Sequence, residues 1–225
     1  MKALVVLVAL VAATSARADT PRGYALYGQY CAECHSVAGK APSLRGTGAR
    51  AADFYLRTGY MPLVSPDDQP WRKRPLFTER EIRDLVAYAA TLGGPPVPKP
   101  HPARGNLSEG MQAFTEHCAG CHQVLAQGGM VSGARVPSLG EATPTQIAEA
   151  VRIGPYLMPR FTKQQLPDGQ LDSIIRYVQY ARSPKDAGGW GIGHIGPVPE
   201  GLVAWLIAGA ALVASTFLLG RRVRR

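Results

Sequence analysis

Outside two pentapeptides the chain has no cysteine, and between its two ends it has no long apolar run. Cysteines to spare in an exported protein would suggest a disulfide framework. Here all four fall in Cys31-Ala32-Glu33-Cys34-His35 and Cys118-Ala119-Gly120-Cys121-His122, so a framework would leave both histidines unexplained. A one-sided charge is missing as well. The formal +9 of the 225 residues is concentrated at the ends, where Lys2, Arg17 and four tail arginines are six of the 25 basic residues and none of the 16 acidic ones. Residues 19–220 carry 19 basic against 16 acidic, and that +3 implies no nucleic-acid face.

What the ends do carry concerns membranes. Lys2, an apolar run at 3–13 and Ala16-Arg17-Ala18 before Asp19 have the layout of a secretory signal peptide at 1–18. That run is too short to span a bilayer, and everything after it is expected to be exported. Residues 201–220 carry no charge, matching the roughly 20 residues a helix needs to cross ~30 Å of hydrocarbon. Arg221, Arg222, Arg224 and Arg225 follow at once, as a cytoplasmic tail at 221–225 would. The expected topology is a single pass in the cell membrane with the bulk of the chain extracytoplasmic.

Proline and glycine divide the interior. Gly93-Gly94-Pro95-Pro96-Val97-Pro98-Lys99-Pro100-His101-Pro102 cannot continue a helix and reads as a semi-rigid linker, taken as 95–104. A second such stretch at 188–200 precedes the membrane segment. Two modules result, 19–94 and 105–187.

Each pentapeptide is C-x-x-C-H, the attachment motif of c-type haem. Two thiols one helical turn apart can each form a thioether with a porphyrin vinyl group, and the next histidine faces the iron. Zinc sites and thioredoxin-like pairs explain neither the repeat nor the histidine. Two covalently bound haem c groups are therefore expected, on Cys31 and Cys34 and on Cys118 and Cys121, with His35 and His122 as proximal ligands. The frame repeats around them at an offset of 87 residues: Gly23 and Gly110 stand eight before the first cysteine, Tyr27 and Phe114 four before it. Helices are expected before each motif and at the end of each module. Thr78-Glu79-Arg80-Glu81 has capping-box chemistry ahead of an Ile82, Leu85, Val86, Ala89, Leu92 stripe, and Leu171, Ile174, Ile175 and Val178 form its counterpart.

For the opposite axial position, Met61 and Met158 are favoured, since each precedes a proline and follows a glycine-containing turn: Gly59-Tyr60-Met61-Pro62 and Gly154-Pro155-Tyr156-Leu157-Met158-Pro159. Met130, eight residues beyond His122, is the weaker rival, and His101, His117 and His194 are the spare histidines. In c-type cytochromes a proline at the stage of Pro42 and Pro137 offers its carbonyl to the outer nitrogen of the proximal histidine, which fixes the ring.

With these residues in view, the chain resembles the dihaem cytochrome c subunit of the actinobacterial type of quinol:cytochrome c reductase, the cytochrome bcc complex. The motifs that carry the likeness are Ala41-Pro42-Ser43-Leu44, Thr58-Gly59 with Met61-Pro62, Gly154-Pro155 with Met158-Pro159, and Gly196-Pro197-Val198 with Glu200-Gly201-Leu202. Tyr60, where the family often has a basic residue, and Tyr156-Leu157, in place of a more polar pair, depart from its pattern. The resemblance implies an all-α fold of two tandem class I c-type cytochrome domains plus a transmembrane helix. It implies an electron relay within an oxidoreductase (a translocase), from a Rieske iron-sulfur protein working with cytochrome b to the copper centre of a cytochrome oxidase. No quinol site is identifiable in the chain itself. A free-standing membrane-anchored shuttle and a dihaem peroxidase are the other readings, and the matching Met-Pro loops argue against the peroxidase.

Overall fold

The computed structural model describes residues 18–184, apart from 37, 66, 67, 69, 70 and 132, and residues 197–223. The signal segment before residue 18, most of the second linker with His194, and Arg224 and Arg225 lie outside the described residues. The chain divides into a compact unit ending at Gln179 and a second unit, Tyr180–Arg225.

In the first unit one order of helices occurs twice. The first set is α1 (Thr20–Tyr30), the single turn α2 (Ala32–His35), α3 (Gly48–Arg57) and α4 (Glu79–Thr91). The second is α5 (Leu107–His117), the single turn α6 (Ala119–His122), α7 (Pro144–Ile153) and α8 (Asp168–Arg182), whose end passes into the second unit. Side chains start these helices where the sequence supplies them. Asp19 and Asn106 cap α1 and α5 by accepting from the backbone of the first turn. Thr78 with Glu81, and Thr143 with Gln146, form capping boxes on α4 and α7. Each cap is worth about 0.5–2 kcal/mol.

The repeated glycines explain how the outer helices of each set meet. A Cβ on Gly23 would lie 2.0 Å from the Asp84 carbonyl oxygen of α4, and one on Gly110 would lie 2.0 Å from that of Ser173 on α8. Only a residue without a side chain lets the backbones approach so closely. One turn further on the crossing is packed by rings: Tyr27 lies 5.2 Å from Tyr88, and Phe114 lies 5.3 Å from Tyr177. Below it, Leu56, Phe77, Ile82 and Leu85 form the core of the first set, with Leu26, Tyr27 and Met61 against them. The second is built on Phe114, Leu166, Leu171, Ile174, Ile175 and Val178, all buried. Burying each such side chain contributes roughly 1.5–3 kcal/mol.

One feature departs from an all-helical chain, and the semi-rigid linker has a fixed start. Gly129–Val131 (β1) and Ala134–Val136 (β2) pair antiparallel, Gly129 opposite Val136, around a turn that uses Gly133 at φ 77°. Their sequence is short and glycine-rich, so it carries no alternating pattern long enough to signal strands. The linker is also fastened at its start: the Arg50 amide donates to the Pro95 carbonyl at 3.2 Å, and Gly48 leaves no room for a side chain against Pro95. A short 3-10 turn, Pro102–Arg104, leads into α5.

In the second unit α9 (Pro197–Val223) contains Gly201–Arg222, a helix long and apolar enough to cross a membrane. Trp205, Leu206, Ile207, Val213 and Phe217 are all exposed, as a lipid-facing surface requires.

Candidate functional site

The two C-x-x-C-H segments form the same small structure. Cys31 ends α1, its amide donating to Tyr27, and the next turn returns bonds from Cys34 and His35 to the Cys31 carbonyl at 3.2 and 2.9 Å. Cys118, Cys121 and His122 repeat this at 3.1 and 2.9 Å. A helical turn sets the two cysteines of each motif three apart on one face. Cys31, Cys34 and Cys118 are half-buried and Cys121 is exposed. Burial, with the neighbouring cysteine adding to it, pushes the Cys31 and Cys118 thiols up to about 11.

Behind each histidine stands a proline carbonyl. His35 Nδ1 lies 2.7 Å from the Pro42 oxygen, and His122 Nδ1 lies 3.2 Å from the Pro137 oxygen. A carbonyl can only accept, so Nδ1 carries the hydrogen and Nε2 keeps its lone pair for a metal. His122 is buried, and burial lowers its pKa against the opposing pull of the Pro137 carbonyl, which favours the neutral ring that a metal ligand must be.

Both methionine loops leave a helix through glycine. Gly59 at φ 68° and Gly154 at φ 67° turn the chain where an L side chain is strained, and each is closely covered by returning backbone, from Lys73 and Arg160 respectively. Met61 is half-buried against the first core, its amide donating to the Tyr55 carbonyl at 3.1 Å. Met158 is half-buried, its amide donating to Pro155 at 3.0 Å. A ring contact ties the second loop to its motif, since Phe161 lies 5.9 Å from His117, the residue before Cys118. In the first set Tyr30, the residue before Cys31, lies 5.2 Å from Phe77, just ahead of α4. Met130 sits on β1 with 80% of its surface exposed. His101 stands in the linker, where its amide donates to Asp172.

The seam between the sets joins residues that no sequence motif marks. Helices α3 and α7 pack on each other with Asp53 and Glu149, each the sixth residue of a ten-residue helix, brought together and buried. Arg57 binds Asp53 at 2.8 Å and also Glu79, whereas neither oxygen of Glu149 has a hydrogen-bond partner among the described residues. Burial first, then the Asp53 carboxylate, pushes Glu149 up to about 9, so it is protonated at neutral pH. Arg72 crosses to Glu141 and Gln146, and Arg135 lies over the Trp71 ring at 5.7 Å. A cavity of about 990 Å³ opens along this seam, bounded by Arg57, Arg74, Phe77, Thr143 and Gln146, and touches neither motif. Identical positions in two corresponding helices were the available signal.

Paired thiols on one helical turn, a histidine held by a carbonyl with Nε2 free, and a thioether loop downstream make the donor set of a c-type cytochrome. The sequence matches the family described as "Cytochrome C oxidase, cbb3-type, subunit III" at residues 18–88 and again at 105–178, once on each set. It is 35% identical over 227 residues to the "Cytochrome bc1 complex cytochrome c subunit" of Mycobacterium tuberculosis, covering 94% of this chain and 81% of that one. The subunits so named from Corynebacterium diphtheriae and Mycobacterium leprae are 32% and 34% identical, each over 89% of this chain, and 80% and 74% of theirs. The chain belongs to this family of cytochrome c subunits: it is an electron-transfer cytochrome that carries covalent haem c.

Proposed function

We propose that the chain carries two haems in two tandem cytochrome domains, 19–94 and 105–187, and relays electrons as a subunit of a quinol:cytochrome c reductase. Cys31 and Cys34 hold the first haem and Cys118 and Cys121 the second. His35 and Met61 are the axial ligands of one iron, His122 and Met158 those of the other. The observation that carries this reading is the repeated bond from His Nδ1 to a proline carbonyl, Pro42 at 2.7 Å and Pro137 at 3.2 Å, because it fixes each ring with Nε2 outward. When bound, each haem supplies a one-electron couple, and thioether ligation raises its potential. The protein's part is to hold the two histidine rings in fixed orientation.

That the relatives are named as subunits of a bc1 complex supports a relay that receives electrons from a Rieske iron-sulfur centre working with cytochrome b. The relay delivers them to the copper centre of a terminal oxidase. The packing of α3 on α7 supports transfer between the two sites inside one compact unit. The apolar α9 supports a single membrane pass, with the sets extracytoplasmic and the arginine tail cytoplasmic. Such a tether raises the effective concentration of the sites at their partners and removes a diffusional step. The test is truncation after Pro199, which spares every ligand. The truncated protein should be exported, soluble and reducible, yet fail to couple quinol oxidation to oxygen reduction in membranes. Full respiratory flux from it, with no co-purification of the intact chain with cytochrome b, would establish the free shuttle instead.

A further inference from the structure

Asp84, on α4, is fully buried, and nothing in the haem sites uses it. Its Oδ1 accepts from the backbone nitrogen of Asp19 at 2.7 Å, while Oδ2 has no hydrogen-bond partner among the described residues. The Arg22 guanidinium stands 3.6 Å from Oδ2, too far for a hydrogen bond, and also faces Glu81 at 3.7 Å. A buried carboxylate facing a neutral amide and one partly exposed guanidinium, with Oδ2 left without a hydrogen bond, is incompletely compensated.

The second set holds the same arrangement with the charge removed. Asn106 corresponds to Asp19, both capping their helices, and its backbone nitrogen donates to Ser173 Oγ at 2.9 Å. Gly110 packs on Ser173 as Gly23 packs on Asp84. At Asn106 the chain runs on, the nitrogen is an ordinary amide, and a hydroxyl suffices. At Asp19 the acceptor is a carboxylate, and Ala16-Arg17-Ala18 stands immediately before.

We propose that the chain is cut between Ala18 and Asp19 and that the α-ammonium released on Asp19 is the counter-charge of Asp84, so that loss of the leader completes the packing of α1 on α4. The step is hydrolysis by an export peptidase. Water adds across the Ala18–Asp19 amide, Ala18 leaves as a carboxylate, and the Asp19 nitrogen becomes an amine that takes up a proton. An ammonium has three donors where an amide has one, enough to keep Oδ1 and serve Oδ2. It lies at the positive end of the α1 dipole, which alone would disfavour it. Asp84 and the Asp19 side chain, which accepts from the Arg22 amide at 3.1 Å, offset that. Held by a buried carboxylate, the amine titrates above its ordinary value of about 7.7–8.0. Its stabilisation is therefore complete below that range and is lost as pH rises through the raised value. The other charged groups facing the pair are Arg22 from α1 and Glu81 from α4.

The experiment is amine acylation of the full-length protein purified from membranes, as a function of pH, read by mass spectrometry of the N-terminal peptide. That peptide should begin at Asp19, and its α-amine should react at least about tenfold more slowly in the folded than in the unfolded protein, the factor that one unit of pKa shift gives. Asp84→Asn should abolish the protection and Arg22→Gln should leave it. A retained leader, a start elsewhere, or equal reactivity folded and unfolded would overturn the proposal. So would protection that survives Asp84→Asn and disappears in Arg22→Gln. If Asp84→Asn does not accumulate, the comparison of folded and unfolded wild type decides by itself.

Discussion

The two helical sets hold the same ligand frame in different surroundings. In the first, His35 is half-buried and meets the carbonyl of Pro42, seven residues on; in the second, His122 is buried and meets that of Pro137, fifteen residues on. The hairpin β1–β2 lies within the longer excursion, which is pinned on both sides of it: the Gly128 amide donates to the His122 carbonyl at 3.0 Å, and the Leu139 amide to that of Ala126 at 2.9 Å. What the frame requires is a carbonyl delivered behind the histidine, and the length of chain that delivers it is free to vary. The same holds at the helix crossing, where glycine is kept in both sets but its neighbour is Asp84 in one and Ser173 in the other.

The equivalence of the crossings is broken most severely at its glycines. Gly23→Ala and Gly110→Ala each drive a Cβ to 2.0 Å from a backbone oxygen, so each should destabilise its own set by at least ~3 kcal/mol, seen as lost haem content and a lower unfolding temperature. A neutral Gly110→Ala beside a destructive Gly23→Ala would show that the two crossings are not equivalent.

Ligand exchange sharpens the comparison at the sites. Met61→His and Met158→His should each lower one haem potential by on the order of 0.2 V, a fraction of the ~0.8 V that axial ligands span, with the other haem nearly unmoved in a redox titration. Loss of the thioether-iron absorption of the second haem in Met130→Leu, with Met158→Leu silent, would transfer the ligand to the hairpin.

The seam gives a pH-dependent effect. Glu149 is raised to about 9 in the folded chain by burial and by Asp53, so it holds a proton that the unfolded chain gives up near its ordinary value. Its stabilisation is therefore complete below about pH 4.3 and is lost progressively as pH rises through about 9. Glu149→Gln should flatten that slope. Relative to wild type it should gain on the order of 2 kcal/mol at alkaline pH and little in acid, checked by chemical denaturation across pH. An unchanged slope would mean that Glu149 keeps its charge. The smallest effect is expected from Arg72→Ala, about 0.5–1 kcal/mol, because its ion pair to Glu141 at 3.8 Å is largely solvated.

The sequence disclosed what depends on local spacing. The C-x-x-C-H turns, the capping box at Thr78, the apolar stripes of α4 and α8 and the glycines repeated eight residues before each motif could be read because each is set by residues a few positions apart. Met61 and Met158 stood out through the recurring Met-Pro loop. The hairpin was hidden by its shortness. The pairing of Asp53 with Glu149 and of Asp19 with Asp84 was hidden for another reason: each joins residues far apart in the chain, and a single carboxylate on a helix looks solvated until the partner that buries it is known.

Whether the two motifs are used in the same way is tested most directly by the mass of the intact mature chain. Two covalently added haems on a chain that begins at Asp19 are predicted. A single haem, or a disulfide in place of the thioethers of either pair, would contradict it.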